Sequence, residues 1–201
     1  MGPNMADQAT GVFWGAFTLF ACTTASILSG AVIERIRMAS FVVLAVILGS
    51  VVWNLAASWG WHPAGWLVTE YGYHDAVASG VVHTISGFFA LGVLINLGPR
   101  IGKFNADGSA NIIRGHSLPM TITGLMLIVV GFFGFIGACV LYNYGVGGGW
   151  TNIYGGPTTL SAYLFNTLMG VAGGIIGCYA MTRDPFWMMS GALCGVISVA
   201  A

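Results

Sequence analysis

Uninterrupted apolar segments about 20 residues long recur along the chain, and each is long enough to cross a hydrocarbon core of roughly 30 Å. This feature restricts the fold to an all-α integral membrane protein, a polytopic helical bundle, because a helix satisfies its backbone hydrogen bonds within the segment. We predict five full spans and a shorter sixth, at about residues 12–33, 39–58, 77–98, 118–142, 159–181 and 186–201.

The composition agrees with a membrane setting. Only six residues are Lys or Arg and six are Asp or Glu, whereas 57% are apolar; a soluble domain carries charge on roughly a quarter of its residues. The sequence has no basic patch, nucleophile–base pair or cofactor loop, so we expect no nucleic-acid partner, no enzymatic activity and no cofactor. The four cysteines lack the spacing of metal ligands, so we expect no metal site.

The positive charges test the span assignment, because basic residues concentrate on the cytoplasmic side of membrane proteins. If the connections alternate between the two sides, one side receives all the basic residues, which are Arg35, Arg37, Arg100, Lys103, Arg114 and Arg183. The other side, with the N-terminal segment and residues 59–76 and 143–158, has none. We therefore predict a multi-pass protein of the cell membrane (plasma or inner) with its basic loops in the cytoplasm.

One ionisable side chain lies well inside a predicted span. His83 is the seventh residue of the third segment, among small residues that leave room for a pore or a close helix contact. An ionisable group within a membrane is a functional hypothesis by default, and imidazole donates and accepts hydrogen bonds with an unperturbed pKa of about 6.5. The position favours proton or ammonia handling; the alternative is a histidine bonded to nearby backbone.

Asp75 stands just before the same span, where its carboxylate can cap the helix N-terminus or attract a cation. A tryptophan face in the preceding connection can bind a cation such as ammonium, at roughly 0.5–2 kcal/mol. Interfacial anchoring explains Trp59, Trp61 and Trp66 equally well. Composition alone leaves these interpretations open.

Four motifs follow one another along nearly the whole chain. They are Gly30-Ala-Val-Ile-Glu-Arg-Ile-Arg37; Asp75 with Gly80-Val-Val-His83; His116-Ser-Leu-Pro119 with Gly131-Phe-Phe-Gly-Phe135; and Asn166-Thr167. They resemble, in the same order and at similar spacing, the SGA-x-AER-x, DFAGG-x-VVH, HNLP…GWFGFN and NT signatures of the ammonium transporter (Amt/Mep/Rh) family.

The resemblance implies an eleven-helix fold, built from two inverted five-helix repeats around a narrow pore and assembled as a homotrimer. The predicted spans then correspond to helices three to eight, and residues 1–201 belong to a single ammonium transporter-like transmembrane domain. On this alignment we expect an interior fragment, with two helices before Met1 and about three after Ala201.

The resemblance also implies roles for individual residues. His83 corresponds to the first of two pore histidines, and its partner, on the tenth helix, lies outside this sequence. Phe20 and Phe135 correspond to the stacked phenylalanines that gate the outer mouth of the pore. Trp61 and Asp75 correspond to the outer site that recruits ammonium.

Cys139 corresponds to a third residue of the recruitment site, which is commonly a serine. Two further positions depart from the family pattern: Ile136 replaces an asparagine and Ala76 an aromatic residue. A thiol is a poorer hydrogen-bond acceptor than a hydroxyl. The sequence therefore supports conduction through the pore better than high-affinity capture of ammonium at its mouth.

The expected function is transport of ammonium or ammonia through an apolar pore, after deprotonation at the phenylalanine gate. The alternatives are the ammonium-sensing membrane domain of a signalling protein and a nonfunctional remnant. The expected partners are ammonium or ammonia, the lipid bilayer and further copies of the chain in a homotrimer. The resemblance also allows a cytoplasmic regulatory protein on the basic loops, and methylammonium as a second substrate stays open.

Overall fold

The computed structural model describes residues 8–147 and 158–200, and within them the chain is mainly helical. These residues form eight α-helices and two π-helical stretches. The α-helices are α1 (Gln8–Val32), α2 (Met38–Ile47), α3 (Trp53–Gly60), α4 (Trp66–Tyr71), α5 (Ile85–Leu97), α6 (Leu118–Gly147), α7 (Leu160–Thr182) and α8 (Pro185–Ser198). The π-helical stretches are Leu48–Val52, between α2 and α3, and Ser79–Thr84, directly before α5.

Five described segments are long and apolar enough to cross a membrane: Trp14–Val32, Met38–Gly60, Ser79–Leu97, Leu118–Gly137 and Ser161–Thr182. Helix α8 is also apolar but shorter. Helices thus occupy all six predicted segments, with ends that differ from the predicted ones by a few residues. The chain is a polytopic, all-α membrane protein.

The structure corrects the connection predicted over residues 59–76, which is not a plain loop. Helix α3 continues to Gly60, and the short helix α4 follows it. Gly72 adopts the left-handed conformation (φ 61°) that ends α4, and its N–H donates to the Val68 carbonyl at 3.1 Å. A helix of six residues is too short to show a helical period in the sequence.

The chain forms two compact units. The first consists of Met1–Tyr73 and Gly80–Ile113, and the second of His74–Ser79 and Arg114–Ala201. The single transmembrane domain expected over residues 1–201 stays a prediction.

In the first unit, helices pack through large aliphatic side chains. Leu28, Val32, Leu48 and Ala90 form one buried cluster. Lipid tails are as apolar as leucine, so helix association in a bilayer depends on close packing rather than on escape from water. This cluster therefore stabilises the unit through dispersion contacts that loosely fitting lipid would not supply.

Arg35 closes two helix ends in the same unit. Its Nη2 donates to the Ala31 carbonyl at 2.9 Å, in the last turn of α1, and its Nη1 donates to the Gly98 carbonyl at 3.1 Å, just after α5. Carbonyl groups at helix C-termini lack partners within the helix and favour a nearby cation. The guanidinium thus fixes the ends of two helices that are distant in sequence.

The connection after α5 contains a small hydrogen-bonded turn, also in the first unit. Phe104 and Ala110 form an isolated antiparallel bridge, and between them the Asp107 carboxylate accepts from the Ser109 Oγ at 2.6 Å and the Ser109 N–H at 2.9 Å. These bonds stabilise the charged carboxylate and lower the pKa of Asp107 below its ordinary value of 3.8. The bonds between Asp107 and Ser109 thus order this turn.

In the second unit, α7 and α8 approach each other so closely that backbone touches backbone. A Cβ atom added at Gly174 would lie 2.0 Å from the Gly191 carbonyl oxygen, and one at Gly195 would lie 1.9 Å from the Gly170 carbonyl oxygen. No side chain fits at such distances. Gly170 and Gly174 of α7 therefore pack against Gly195 and Gly191 of α8, and small residues at this four-residue spacing are typical of closely packed membrane helices.

Candidate functional site

Four aromatic side chains of the first unit form a cluster, and Trp61, the residue directly after α3, is one of them. The Phe20 and Trp61 rings meet edge to face with centroids 4.9 Å apart, and Phe17 contacts the same indole at 5.6 Å. Trp53 completes the cluster at 6.4 Å from Trp61 and 6.2 Å from Phe17. Edge-to-face pairs at these distances contribute roughly 0.5–1.5 kcal/mol each beyond burial. The structure thus brings together two of the residues selected from the sequence, Phe20 and Trp61.

Phe17 and Trp53 are the members of this aromatic cluster that sequence reasoning missed. Phe17 precedes Phe20 by three residues, so both project from one face of α1, and that spacing is the signal that could have found it. Trp53 is buried, and its indole N–H finds no hydrogen-bond partner among the described residues. A buried donor without a partner costs free energy, so burial of the Trp53 indole N–H lowers the stability of the fold.

His83 lies in the π-helical stretch Ser79–Thr84, which leads into α5 in the first unit from Gly80 onward. Its side chain is half-buried, and its neighbours Val81 and Val82 are fully buried. A π-helical turn contains one extra residue, is rare, and occurs frequently at functional sites. The mid-span histidine therefore sits on locally irregular backbone, which the apolar pattern does not reveal.

Asp75 caps the start of that stretch. Its carboxylate is buried and accepts a hydrogen bond from the Ser79 N–H at 2.8 Å. The capping interpretation is confirmed, because the first N–H groups of a helix have no acceptor within the helix.

The segment after Asp75 is held in a strained conformation. Ala78 is buried with φ at 79°, in the left-handed region that a residue with a Cβ avoids. Two bonds to the end of α8 hold it there: the Val77 N–H donates to the Ala200 carbonyl at 2.9 Å, and the Ser79 Oγ donates to the Ile197 carbonyl at 2.6 Å. Such strain persists only where surrounding contacts fix it.

The remaining selected residues lie on α6, in the second unit. Phe135 and Cys139 are half-buried and pack against the core cluster that contains Val77 and Ile136. Cys139 also lies within electrostatic reach of the Asp75 carboxylate. Asp75, Phe135 and Cys139 therefore belong to the second unit, whereas Phe20, Trp61 and His83 belong to the first.

Metal binding finds no support in the described residues, which contain no group of three His, Cys, Asp or Glu side chains able to hold an ion. The selected side chains are aromatic rings and an imidazole in the first unit, and a phenylalanine, a buried carboxylate and a thiol in the second. Aromatic faces and a carboxylate can attract a small cation. The imidazole can donate a hydrogen bond to a small neutral amine or accept one from it.

Comparison with known proteins agrees with this chemistry. The sequence matches the model of the Ammonium Transporter Family over residues 2–201. The chain belongs to this family. The resemblance of the four motifs is thereby confirmed.

Relatives in the ammonium transporter family come from several lineages. The ammonium transporter Amt2 of Archaeoglobus fulgidus is 29% identical over 97% of this chain and 42% of its own length. The Amt2 protein of Methanocaldococcus jannaschii is 32% identical over 98% of this chain and 42% of its own length. A solved structure named Sensor Amt Protein superimposes with a TM-score of 0.74 at 29% identity, covering 91% of this chain and 45% of that protein. The chain therefore spans less than half the length of these relatives.

Proposed function

We propose that the full-length protein transports ammonium or ammonia across the cell membrane, through an apolar pore entered at an aromatic mouth. The observation that carries the proposal is the edge-to-face contact of Phe20 with Trp61 at 4.9 Å, in a chain of the ammonium transporter family. This contact joins the residue proposed to gate the pore to the residue proposed to recruit the cation. The family relatives named as ammonium transporters support the choice of substrate.

Recruitment is the first proposed step. The Trp61 indole offers a π-face to a cation, an interaction of roughly 0.5–2 kcal/mol that grows as water is removed. The Asp75 carboxylate adds negative potential near Cys139 while it caps the helix. In this proposal the Asp75 carboxylate both caps the helix and attracts the cation.

The second proposed step is deprotonation at the outer mouth of the pore, where the family resemblance assigns the gate to Phe20 and Phe135. Phe20 is half-buried against aromatic rings, and Phe135 against an aliphatic core. A bare ion in such surroundings costs several kcal/mol. Ammonium therefore gives its proton to water at the outer mouth, and neutral ammonia enters the apolar path alone.

Passage along the pore is the third proposed step. Ammonia both donates and accepts hydrogen bonds, and the His83 imidazole can complement it in either sense. The small residues beside His83, together with its position on a π-helical turn, support a role in lining the path. We also propose a homotrimer with its basic loops in the cytoplasm, as the charge distribution and the resemblance indicate.

The first test measures transport in proteoliposomes of the full-length protein after an ammonium jump, as the rise of internal pH that entering ammonia causes when it takes up a proton. Replacing His83 with alanine should lower the rate of this rise about tenfold, the effect of losing roughly 1.4 kcal/mol of hydrogen bonding in the transition state. The matched control is His116→Ala, an exposed histidine before α6, which should keep the wild-type rate. An unchanged rate in His83→Ala would contradict the proposed path.

The gate has its own matched pair. Phe20→Leu should lower the rate of ammonia entry, because it removes the ring that contacts Trp61. Phe165→Leu changes an exposed phenylalanine on α7 and should leave the rate unchanged. Wild-type protein that binds ammonium in a fluorescence titration but causes no change of internal pH would favour the sensing alternative.

Asparagine at position 75 separates the two roles of Asp75. Asparagine caps a helix as well as aspartate does, so Asp75→Asn should retain the thermal midpoint while weakening ammonium capture. Asp75→Ala should lose both, with about 0.5–2 kcal/mol of stability. If Asp75→Asn and wild type capture ammonium equally well, the charge of Asp75 has no role in capture and the residue only caps the helix.

A further inference from the structure

A groove in the first unit has a polar end and an apolar body. Its volume is about 800 Å³, and Arg35, Arg37 and Ser40 line it at the start of α2. The rest of its wall is largely apolar and includes Leu44 on α2 and Phe88 on α5.

The groove follows the helices into the apolar thickness of the membrane. Leu44 lies seven residues beyond Arg37 on α2, and Phe88 lies nine residues before Leu97, the last residue of α5. At about 1.5 Å per residue these positions are roughly 10–14 Å from the helix ends. The wall therefore changes from charged to apolar along the membrane normal, as the headgroup and acyl chain of a lipid do.

The charges at the polar end are not neutralised. The adjacent carboxylate of Glu34 forms its ion pair with Arg100 instead, with Oε2 and Nε 3.5 Å apart. Within the described part of the chain, Arg35 and Arg37 form no ion pair, and Arg35 bonds only to backbone carbonyls. Two fixed cations beside a serine hydroxyl favour an anion such as a phosphate diester.

We propose that this groove binds an anionic phospholipid, with its phosphate at Arg37 and Arg35 and one acyl chain along α5. The positive-inside rule assigns this end to the cytoplasmic leaflet, where anionic lipids are found. Gly92 forms part of the wall, and a Cβ there would meet no atom within 4 Å, so the acyl chain has room beside α5.

Lipid binding by the purified full-length protein, measured by native mass spectrometry with phosphatidylglycerol and phosphatidylcholine, tests the charged end. Wild type should prefer phosphatidylglycerol, and Arg37→Gln should weaken its binding about fivefold, the usual effect of one basic residue near an anionic surface. Arg114→Gln removes an equal charge that does not line the groove and should leave binding unchanged. Equal losses in the two variants, or no preference in wild type, would overturn the proposal.

The apolar end is tested by filling it. Gly92→Leu should lower phosphatidylglycerol binding several-fold with both arginines in place, whereas Gly87→Leu, an open position outside the groove on the same helix, should not. Displacement of the lipid by millimolar glycerol phosphate would show that a soluble phosphate suffices and would overturn the acyl-chain part. Unchanged binding in Gly92→Leu would do the same.

Discussion

The two units hold their helices together in different ways. In the first, α1 and α5 pack through buried aliphatic side chains such as Leu28 and Ala90, with an aromatic cluster nearby. In the second, α7 and α8 have almost no side chain between them, and Gly174 lies against Gly191. The contact between α1 and α5 is specified by the shapes of side chains, and the contact between α7 and α8 by their absence.

This difference determines how each unit tolerates change. Side-chain packing fails gradually, because neighbouring atoms can shift into a small cavity. Backbone contact fails abruptly, because a carbonyl of one helix cannot move without moving the whole helix. We therefore expect substitutions at the contacting glycines of the second unit to have larger effects than truncations in the first.

The largest effect is expected from Gly174→Val. Its Cβ would lie 2.0 Å from the Gly191 carbonyl oxygen, so the loss should exceed the roughly 1–3 kcal/mol typical of overpacking. The measurement is the yield of folded protein, together with amide hydrogen exchange in α7 and α8. Gly173→Val, at an adjacent position open to at least 4 Å, is the control and should fold normally. Normal folding of both variants would remove the contrast between the units.

Leu28→Ala tests the first unit. Leucine-to-alanine changes in soluble cores cost about 2–5 kcal/mol, but part of that is transfer from water, which is missing in a bilayer. We expect a loss near 2 kcal/mol in chemical denaturation from mixed micelles, from the cavity term alone. Leu19→Ala on the same helix, where the side chain is 68% exposed, should cost far less. A loss larger than that of Gly174→Val would reverse the ranking of the units.

Ala78→Gly should stabilise the second unit. An alanine in the left-handed region costs roughly 1–2 kcal/mol, which glycine avoids. Glycine, however, loses more conformational entropy on folding, which offsets about 0.5–1 kcal/mol of the gain. The net gain, about 0.5–1 kcal/mol, should raise the thermal midpoint in a tryptophan-fluorescence melt. Ala76→Gly, which lies outside the left-handed region, should lower the midpoint instead. Equal shifts in the two variants would show that Ala78 is not strained.

The smallest effect concerns the polar turn of the first unit. Ser109→Ala should raise the pKa of Asp107 part of the way towards its ordinary value of 3.8, because it removes the hydroxyl bond that is the largest cause of the lowering and keeps the Ser109 N–H bond. Because the folded pKa is lowered, these bonds stabilise the turn above pH 3.8 and lose their contribution as the pH falls through the lowered value. Carboxyl NMR of labelled protein measures the midpoint, and Ser117→Ala should leave it unchanged. A midpoint that Ser109→Ala leaves unchanged would show that the Ser109 hydroxyl does not lower the pKa of Asp107.

Much of the fold could be predicted from the sequence, because a bilayer leaves the backbone few alternatives to long apolar helices. The span at residues 39–58 was placed almost correctly, yet the π-helical stretch Leu48–Val52 within it left no trace in the apolar pattern. Helix α4 was missed for a related reason, since Trp66 and Tyr71 are equally expected in an interfacial loop.

The candidate site was less accessible. Motifs selected Phe20 and Trp61, and the structure places their rings in contact. No motif indicated Trp53, because a tryptophan in a span usually packs against lipid or protein without a polar role. Ala78 occupies a glycine position of the DFAGG signature, but only the backbone angle of 79° shows why glycine suits that position.

The π-helical stretches also bear on how sequences of this family can diverge. Such a turn contains one residue more than an α-helical turn, so removing one residue from Leu48–Val52 would restore a regular helix and leave α2 and α3 facing the same neighbours. A one-residue deletion in the middle of α7 would instead rotate every later side chain by about 100°. Single-residue gaps between related sequences should therefore accumulate at these two turns, where natural selection can tolerate a change of length inside a membrane helix.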